Sequence, residues 1–564
     1  MVEKDVAHGE VSSARDLGGA PAARPETGVT EGKDRPRKKS SLVKRFVFWA
    51  LMLIGALLLG ISLWVRRSFG FISVDQLLSN MQGGGGEGAG GDGIVVNAVI
   101  TGIVLPVLIV AALMVLSFIV SRKISLTTPE SRVPGKILTA SAVVIAIAVP
   151  LAGGAHLSST IGLRQFVSAT VREAAGGSGM AEYYVSPMSG RGSAATVGSI
   201  DTQDEPSFGP GQDPRNLVVI YLESVEDAFS DTETFEIDML EPVEDATRGW
   251  TSVPNFLMYE GGGWTMSGLV STQCGIPLRT DESGAATTDP NELGSGDNEI
   301  AGYLPRATCL GDVLSEAGYT SVFLGGADKN FAGKGQFFSD HGYSEVKDLD
   351  YWQQQGETEI RSDWGLSDRR LFENAKTEID ALHAAKEPFN LTMLTLDTHE
   401  MPYAHEYCEI ETEAPLASIT FCSMQQVEGF IGYMEERGYL SDTAVVVMGD
   451  HPKMTSEQVS FWDELNNWDA PRTIFNRIWS PDGLVPARNI DQLSMYPTML
   501  ELIGLEVPDH RAGIGVSAFA AKEDVPQGSI LDLSKGEYSD VVNSRSTSLY
   551  RTLWGRQEAV EAAG

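Results

Sequence analysis

Three apolar runs dominate the first part of the chain. Residues 46–65 carry no charge and form a nearly continuous hydrophobic stretch, about the ~20 residues that a helix needs to cross a bilayer. The run begins too far from the start to be a cleaved leader, so it predicts a retained span. A second run covers 94–120 and a third 137–155, the last weakened by Pro150, Gly153 and Gly154. Together they predict a three-span membrane anchor over 43–156, preceded by a polar, aperiodic tail over 1–42 that reads as disordered and cytoplasmic.

Beyond the anchor the pattern changes. A helical stretch after Leu157 gives way to Gly, Ser and Pro up to Asp213, an extracytoplasmic linker. Short apolar runs at 217–223, 320–324, 391–397 and 444–448 then alternate with helix-period segments such as 310–317 and 424–437. Runs of that length with no polar alternation read as strands buried on both faces. Strands alternating with helices predict an α/β sheet covered by helices, in a catalytic domain over 214–530 followed by a C-terminal tail over 531–564. Residues 71–78 are open between a short amphipathic helix at the membrane surface and a plain loop.

Charge sets the orientation. Arg35, Arg37, Lys38 and Lys39 precede the first run, and Arg122, Lys123, Arg132 and Lys136 lie between the second and third. Lys and Arg accumulate on the cytoplasmic side, so the N-terminus is expected inside and the large domain outside. The loop between the first two runs has Arg66 and Arg67 but is mostly glycine over 83–93, a flexible linker. The formal net charge of −34 resides almost wholly after residue 213. A domain so acidic repels nucleic acid and anionic headgroups, and no nucleic-acid partner is expected. Cys274, Cys309, Cys408 and Cys422 all fall in this outward domain, an even number compatible with two disulfides whose connectivity the spacing leaves open.

Candidate chemistry lies at strand ends. Glu223 closes one apolar run and Asp450-His451 closes another; in open α/β sheets, groups at the carboxyl ends of strands converge on one rim. Between them in the chain stands Gly263-Trp264-Thr265-Met266-Ser267-Gly268. The Thr265 hydroxyl is a weak nucleophile unless a base or a metal ion removes its proton. Two carboxylates, an imidazole and a hydroxyl make a hard, mostly oxygen donor set suited to Mn²⁺ or Mg²⁺.

The string from Gly262 through Leu278, together with Cys309-Leu310-Gly311-Asp312, Phe331-Ala332-Gly333-Lys334, Asp363-Trp364-Gly365, Asp397-Thr398-His399 and Gly449-Asp450-His451, resembles the bacterial membrane phosphoglycerol transferases that decorate periplasmic glucans. These are relatives of lipoteichoic acid synthase in the alkaline phosphatase/sulfatase superfamily. The resemblance spans roughly 180–520. It implies an alkaline-phosphatase/sulfatase-like α/β sheet flanked by helices, with Thr265 as nucleophile and Glu223, Thr265, Asp450 and His451 around one divalent cation. It further implies His399 at the glycerophosphoryl group as a donor or general acid, Lys334 near substrate and Trp364 as a pocket wall. Phosphatidylglycerol would be the lipid donor and a glycan or oligosaccharide the acceptor.

Two departures from related patterns matter. Lipoteichoic acid synthase has a histidine and an aspartate around the positions of Gly325 to Ala327, which this sequence lacks. Asp328 is shifted by one, so those roles are not carried over. Cys274-Gly-Ile-Pro-Leu-Arg279 also resembles the signature of a cysteine-modified sulfatase, but two residues instead of one separate Cys274 from the proline. Cys274 is therefore expected in a disulfide. Alternative readings on the same scaffold are a phosphoethanolamine transferase or a hydrolytic phosphodiesterase, and in a different class a non-catalytic receptor.

Overall fold

The computed structural model describes residues 38–81, 96–127, 135–177, 179–188, 206–209, 213–279, 302–361, 363–457, 459–523 and 526–555. Most of the polar tail, the glycine-rich segment and the side chains of the basic loop around Arg122 to Lys136 lie outside the described residues.

Among the described residues, three helices are long and apolar enough to cross a membrane. Their spanning segments are Val43–Phe69, Ala98–Val120 and Ser141–Thr160, within α1 (Lys38–Phe69), α3 (Leu105–Thr127, entered through a π-helical turn at Ala98–Val104) and α4 (Gly135–Thr160). Pro150 sits inside α4 without ending it, a tolerance common in apolar spans, where neighbouring groups satisfy the freed carbonyl. Between α1 and α3, Val74–Met81 forms α2, so the stretch left open between helix and loop is helical. It is not a free surface helix. Asp75 is buried and ion-paired to Arg279 at 3.2 Å and to Arg545 at 2.6 Å. Leu163–Ala174 forms α5, and the ring of its Phe166 lies under the Arg545 guanidinium.

The domain is built on a six-stranded sheet of order β3-β2-β4-β1-β5-β6, formed by β1 (Asn216–Leu222), β2 (Thr320–Gly325), β3 (Glu345–Lys347), β4 (Phe389–Leu394), β5 (Thr443–Gly449) and β6 (Asn476–Trp479). The first five run parallel and β6 antiparallel on the edge of β5. The strands are apolar on both faces because helices cover both. Along β1, Leu217, Val219 and Tyr221 enter one hydrophobic cluster and Val218, Ile220 and Leu222 the other, as the two-residue period of a strand requires. The first layer is packed by α6 (Thr265–Cys274), α7 (Leu310–Glu316) and later α11 (Gln492–Leu502); α8 (Lys334–Asp340) adds Phe337 and Phe338. The second is packed by α9 (Asp368–Ala385) and α10 (Pro415–Glu436).

Two features depart from the sequence pattern. The run expected at 391–397 pairs only over Phe389–Leu394, and its last residues leave the sheet to form a turn. Residues 531–564, expected as a tail, carry helices at Lys535–Val542 and Thr547–Leu553, and Val542, Leu549, Tyr550 and Trp554 are buried in the first core layer.

Two disulfides are present. Cys274 at the end of α6 is bonded to Cys309, the residue before α7, and Cys408 is bonded to Cys422 within α10. Cys274 is thus committed to a structural bond and is not available for oxidation to an aldehyde.

Candidate metal and nucleophile site

Parallel strands β1 and β5 end side by side, with the Asp450 N–H donating to the Leu222 carbonyl at 3.1 Å. That one bond sets Glu223 and Asp450-His451 next to each other at the carboxyl edge of the sheet. Glu223, Asp450 and His451 are all buried, and one ligand atom from each lies within 4.8 Å of the other two.

Each group is aimed by its neighbours. Asp450 Oδ1 accepts from the Ser224 and His451 backbone N–H groups, both at 2.8 Å. Its other oxygen, Oδ2, is buried with no hydrogen-bond donor and lies 3.6 Å from His451 Nε2. His451 Nδ1 sits 2.8 Å from the Pro452 carbonyl. A carbonyl only accepts, so Nδ1 carries a proton and Nε2 is the ring atom that faces the carboxylates, the usual outer-shell arrangement of a metal-ligating histidine. Glu223 Oε1 lies 3.8 Å from the same Nε2 and accepts from Ser224 Oγ at 2.7 Å.

Thr265 joins this cluster from a third element. It is the first residue of α6, and its Oγ1 donates to Glu223 Oε2 at 3.2 Å. The glycine three residues on makes this possible. A Cβ at Gly268 would lie 2.1 Å from the Asp450 carbonyl oxygen, so only glycine lets the first turn of α6 rest on the backbone of the Asp450 strand end.

Burial, and after it the adjacent Glu223 charge, push the Asp450 carboxyl up to about 7. Burial acts on Glu223 as well, but His399, His451 and the Ser224 hydroxyl hold it below the ordinary carboxylate range. Two carboxylates forced together out of water, one with a buried oxygen lacking a donor, call for a cation between them. Glu223, Asp450, His451 and the Thr265 hydroxyl therefore fit a divalent ion, as a hard, oxygen-rich donor set with one imidazole.

His399, on the turn after β4, lies close enough to Glu223 for the two groups to shift each other's pKa. Its Nδ1 donates to the Glu400 carbonyl, its ring lies 3.9 Å from that of Trp364, and loss of water lowers its pKa below the ordinary imidazole value. The turn is held by Asp368, whose carboxylate accepts the N–H groups of Leu396 and Asp397. Trp364 donates Nε1 to the Glu400 carbonyl at 3.0 Å and meets Phe331 edge-on, so it forms a wall against His399. Lys334, the first residue of α8, is buried; desolvation lowers its pKa, and the Glu223 and Asp450 charges oppose that shift. It is not a solvated surface lysine.

Lys453 and Arg361 are not among the residues the sequence singled out, and Gly268, within the Gly263 to Gly268 string, had no role assigned there. Lys453, two residues after His451, is buried and pairs through Nζ with Glu400 Oε1 at 2.7 Å, joining the loop after β5 to the loop after β4. Arg361 is buried, grips Asp363 at 2.8 Å and donates to the Met401 carbonyl at 2.6 Å. Gly268 sets the approach of α6. The spacing of Lys453 from Asp450-His451 was the one available hint.

The sequence pattern of the sulfatase family matches residues 215–505, more than half of the chain and every residue of the cluster. The chain belongs to the sulfatase family. Within it, the chain is 35% identical over 356 residues to phosphoglycerol transferase I of Xanthomonas campestris pv. campestris, covering 61% of this chain and 48% of that protein. It is 27% identical over 320 residues to phosphoglycerol transferase I of Escherichia coli, covering 55% and 40%. The chain spans about half the length of the curated relatives it matches. Among solved structures, lipoteichoic acid synthase LtaP of Listeria monocytogenes aligns at 16% identity with a TM-score of 0.44, over 55% of this chain and 77% of that one; at that level no argument about activity follows. Family membership does not by itself assign sulfate-ester chemistry here, because Cys274 is disulfide-bonded and closed to the oxidation that a cysteine-modified sulfatase needs.

Proposed function

We propose that this sulfatase-family chain is a membrane-anchored, extracytoplasmic phosphoglycerol transferase that moves a glycerophosphoryl group from phosphatidylglycerol to a glycan. The observation that carries this reading is the Thr265 hydroxyl on the first turn of α6, 3.2 Å from Glu223 within the buried carboxylate–imidazole cluster. The similarity to phosphoglycerol transferase I supports the choice of group transferred. The basic flank of the first span and the two disulfides support an N-terminus inside the cell and a domain outside it.

Glu223, Asp450, His451 and Thr265 would hold one divalent cation, Mn²⁺ or Mg²⁺. When bound, such an ion lowers the pKa of a coordinated hydroxyl and offsets charge on phosphoryl oxygens. The chain's own groups do the rest. Glu223 orients Thr265 Oγ1 and receives its hydrogen bond. Attack by that oxygen forms a Thr265 O–P bond as the P–O bond to diacylglycerol breaks, leaving a glycerophosphoryl-threonine. His399, half-buried with Nδ1–H tied to a carbonyl, keeps Nε2 to relay the proton that Thr265 gives up to the departing diacylglycerol oxygen. An acceptor hydroxyl then attacks phosphorus, the Thr265 O–P bond breaks, and the acceptor proton returns through the same groups. The first-turn N–H groups of α6, which have no partner inside the helix, face the charge that develops on phosphoryl oxygens, and Lys334 adds a buried positive charge.

The test is transfer from phosphatidylglycerol labelled in its headgroup to a soluble oligosaccharide by the purified full-length chain. Labelled glycerophosphate on the sugar, with diacylglycerol released in equal amount, is expected. Release of free glycerophosphate without sugar labelling would make the chain a hydrolase. Label transfer only from phosphatidylethanolamine would make it a phosphoethanolamine transferase.

A further inference from the structure

The loop that follows the metal-ligand pair touches the end of the first membrane-spanning helix. Arg67, in the last turn of α1, pairs with Glu457 at 3.1 Å. Gly70, just beyond α1 with φ +72°, approaches the Thr455 carbonyl so closely that a Cβ would lie 2.5 Å from it. Arg66 holds its guanidinium 4.7 Å from the centre of the Phe71 ring, and Phe71 is largely exposed. A basic residue and an exposed aromatic at the end of an apolar span mark the level of the membrane interface. Residues 455–457 therefore lie at that level.

From there a short chain of contacts leads to the mouth of the site. Lys453 pairs with Glu400, and Ser460 N donates to the same carboxylate at 2.9 Å. Next to Glu400 the Met401 side chain is 73% exposed although its carbonyl is held by Arg361. Tyr403, whose ring lies 5.4 Å from that guanidinium, is 42% exposed, and Phe331, against Trp364, is 40% exposed. Three large apolar side chains are thus left in the open around the entrance, on loops tied through Lys453 to the membrane-level loop. Water-exposed apolar groups concentrated at one place mark an interaction surface.

We propose that Met401, Tyr403 and Phe331 form an apolar lip that rests in the headgroup–acyl boundary of the bilayer, so that the lipid donor reaches Thr265 without leaving the membrane. The occupant is the lipid surface, because the lip is tied through Glu400 and Lys453 to the loop that contacts the interface end of α1, and the domain's acidity rules out attraction by charge. The lipid-donor step rests on the function proposed above; the placement of the lip does not.

Two measurements on the full-length chain in vesicles separate these claims. All four native cysteines are in disulfides, so Met401→Cys supplies a single thiol for an environment-sensitive fluorophore. In phosphatidylcholine vesicles containing phosphatidylcholine nitroxide-labelled close to the headgroup, emission from position 401 is expected to be quenched. The same label at Val485, an exposed residue beyond the end of β6 at the opposite edge of the sheet, is expected to keep its emission. Equal emission at the two positions would overturn the proposal. In the second measurement, Met401→Asp is expected to cut transfer from vesicle phosphatidylglycerol about tenfold, the scale of removing one half-buried apolar anchor from a membrane boundary, while transfer from a short-chain, monomeric phosphatidylglycerol stays unchanged. Equal loss with both donors, or no loss with either, would overturn it. A wild-type chain that uses neither donor would refute the lipid-donor reading, and the quenching result alone would then decide the lip.

Discussion

A Cβ on residue 268 would lie 2.1 Å from the Asp450 carbonyl oxygen, and this closeness of Gly268 to Asp450 is what brings the start of α6 against the end of β5. Thr265 and the carboxylate cluster are held in register by that approach. Gly268→Ala is expected to force the two apart, at a cost of about 1–3 kcal/mol for overpacking, and to lower turnover far more than stability. Denaturant unfolding and kcat measured on the same preparation check this; an unchanged kcat would mean that the approach is not needed for the chemistry.

Metal removal follows from the buried carboxylate pair. Chelation is expected to abolish transfer and added Mn²⁺ or Mg²⁺ to restore it, with one equivalent bound per chain. Asp450→Asn removes a charge from the donor set and is expected to lose bound metal, read by elemental analysis, together with activity. Full activity in a sample shown to be metal-free would contradict the site.

Asp75 ties α2 to the domain through two arginines. Removing a buried carboxylate shared by two guanidiniums takes a common ion-pair partner from both, and Asp75→Ala is expected to cost about 3 kcal/mol. Equilibrium unfolding in detergent or nanodiscs measures it. Asp75→Asn, which keeps shape but not charge, is expected to recover only part of the loss.

The Cys408–Cys422 bond closes a short loop next to the segment that carries His399, Glu400 and Met401. Replacing both cysteines with serine is expected to destabilise the domain by about 3 kcal/mol, the chain-entropy value for a loop of that length, and to raise KM for the lipid more than it lowers kcat. Unfolding curves and initial rates over a donor series would show this.

The sheet was legible in the sequence because its strands are buried on both faces: the runs around Val218 to Leu222 and Val445 to Met448 have no polar alternation, and Glu223 and Asp450 mark where they end. The three spans were legible for the same reason, as length and apolarity suffice. Strand β6 was hidden, because Asn476, Arg477 and Trp479 on an edge carry no continuous apolar run. The helices after residue 530 were hidden because their buried residues, such as Val542 and Trp554, are few and are set by packing on the far core. The site cluster was reachable from strand ends and a familiar motif. Lys453 and the Asp75 latch were not, since an ion pair between residues tens to hundreds of positions apart leaves no periodic trace; nor was Arg361, whose reach to the Met401 carbonyl is a tertiary contact.

The most direct test of the account is the mass of the intact protein after brief incubation with phosphatidylglycerol and no acceptor, followed by fragmentation. A glycerophosphoryl adduct on Thr265, absent in Thr265→Ala and lost when a sugar acceptor is added, is the expected result. An adduct on another residue, or transfer undiminished in Thr265→Ala, would contradict the claim that this hydroxyl carries the phosphoryl group.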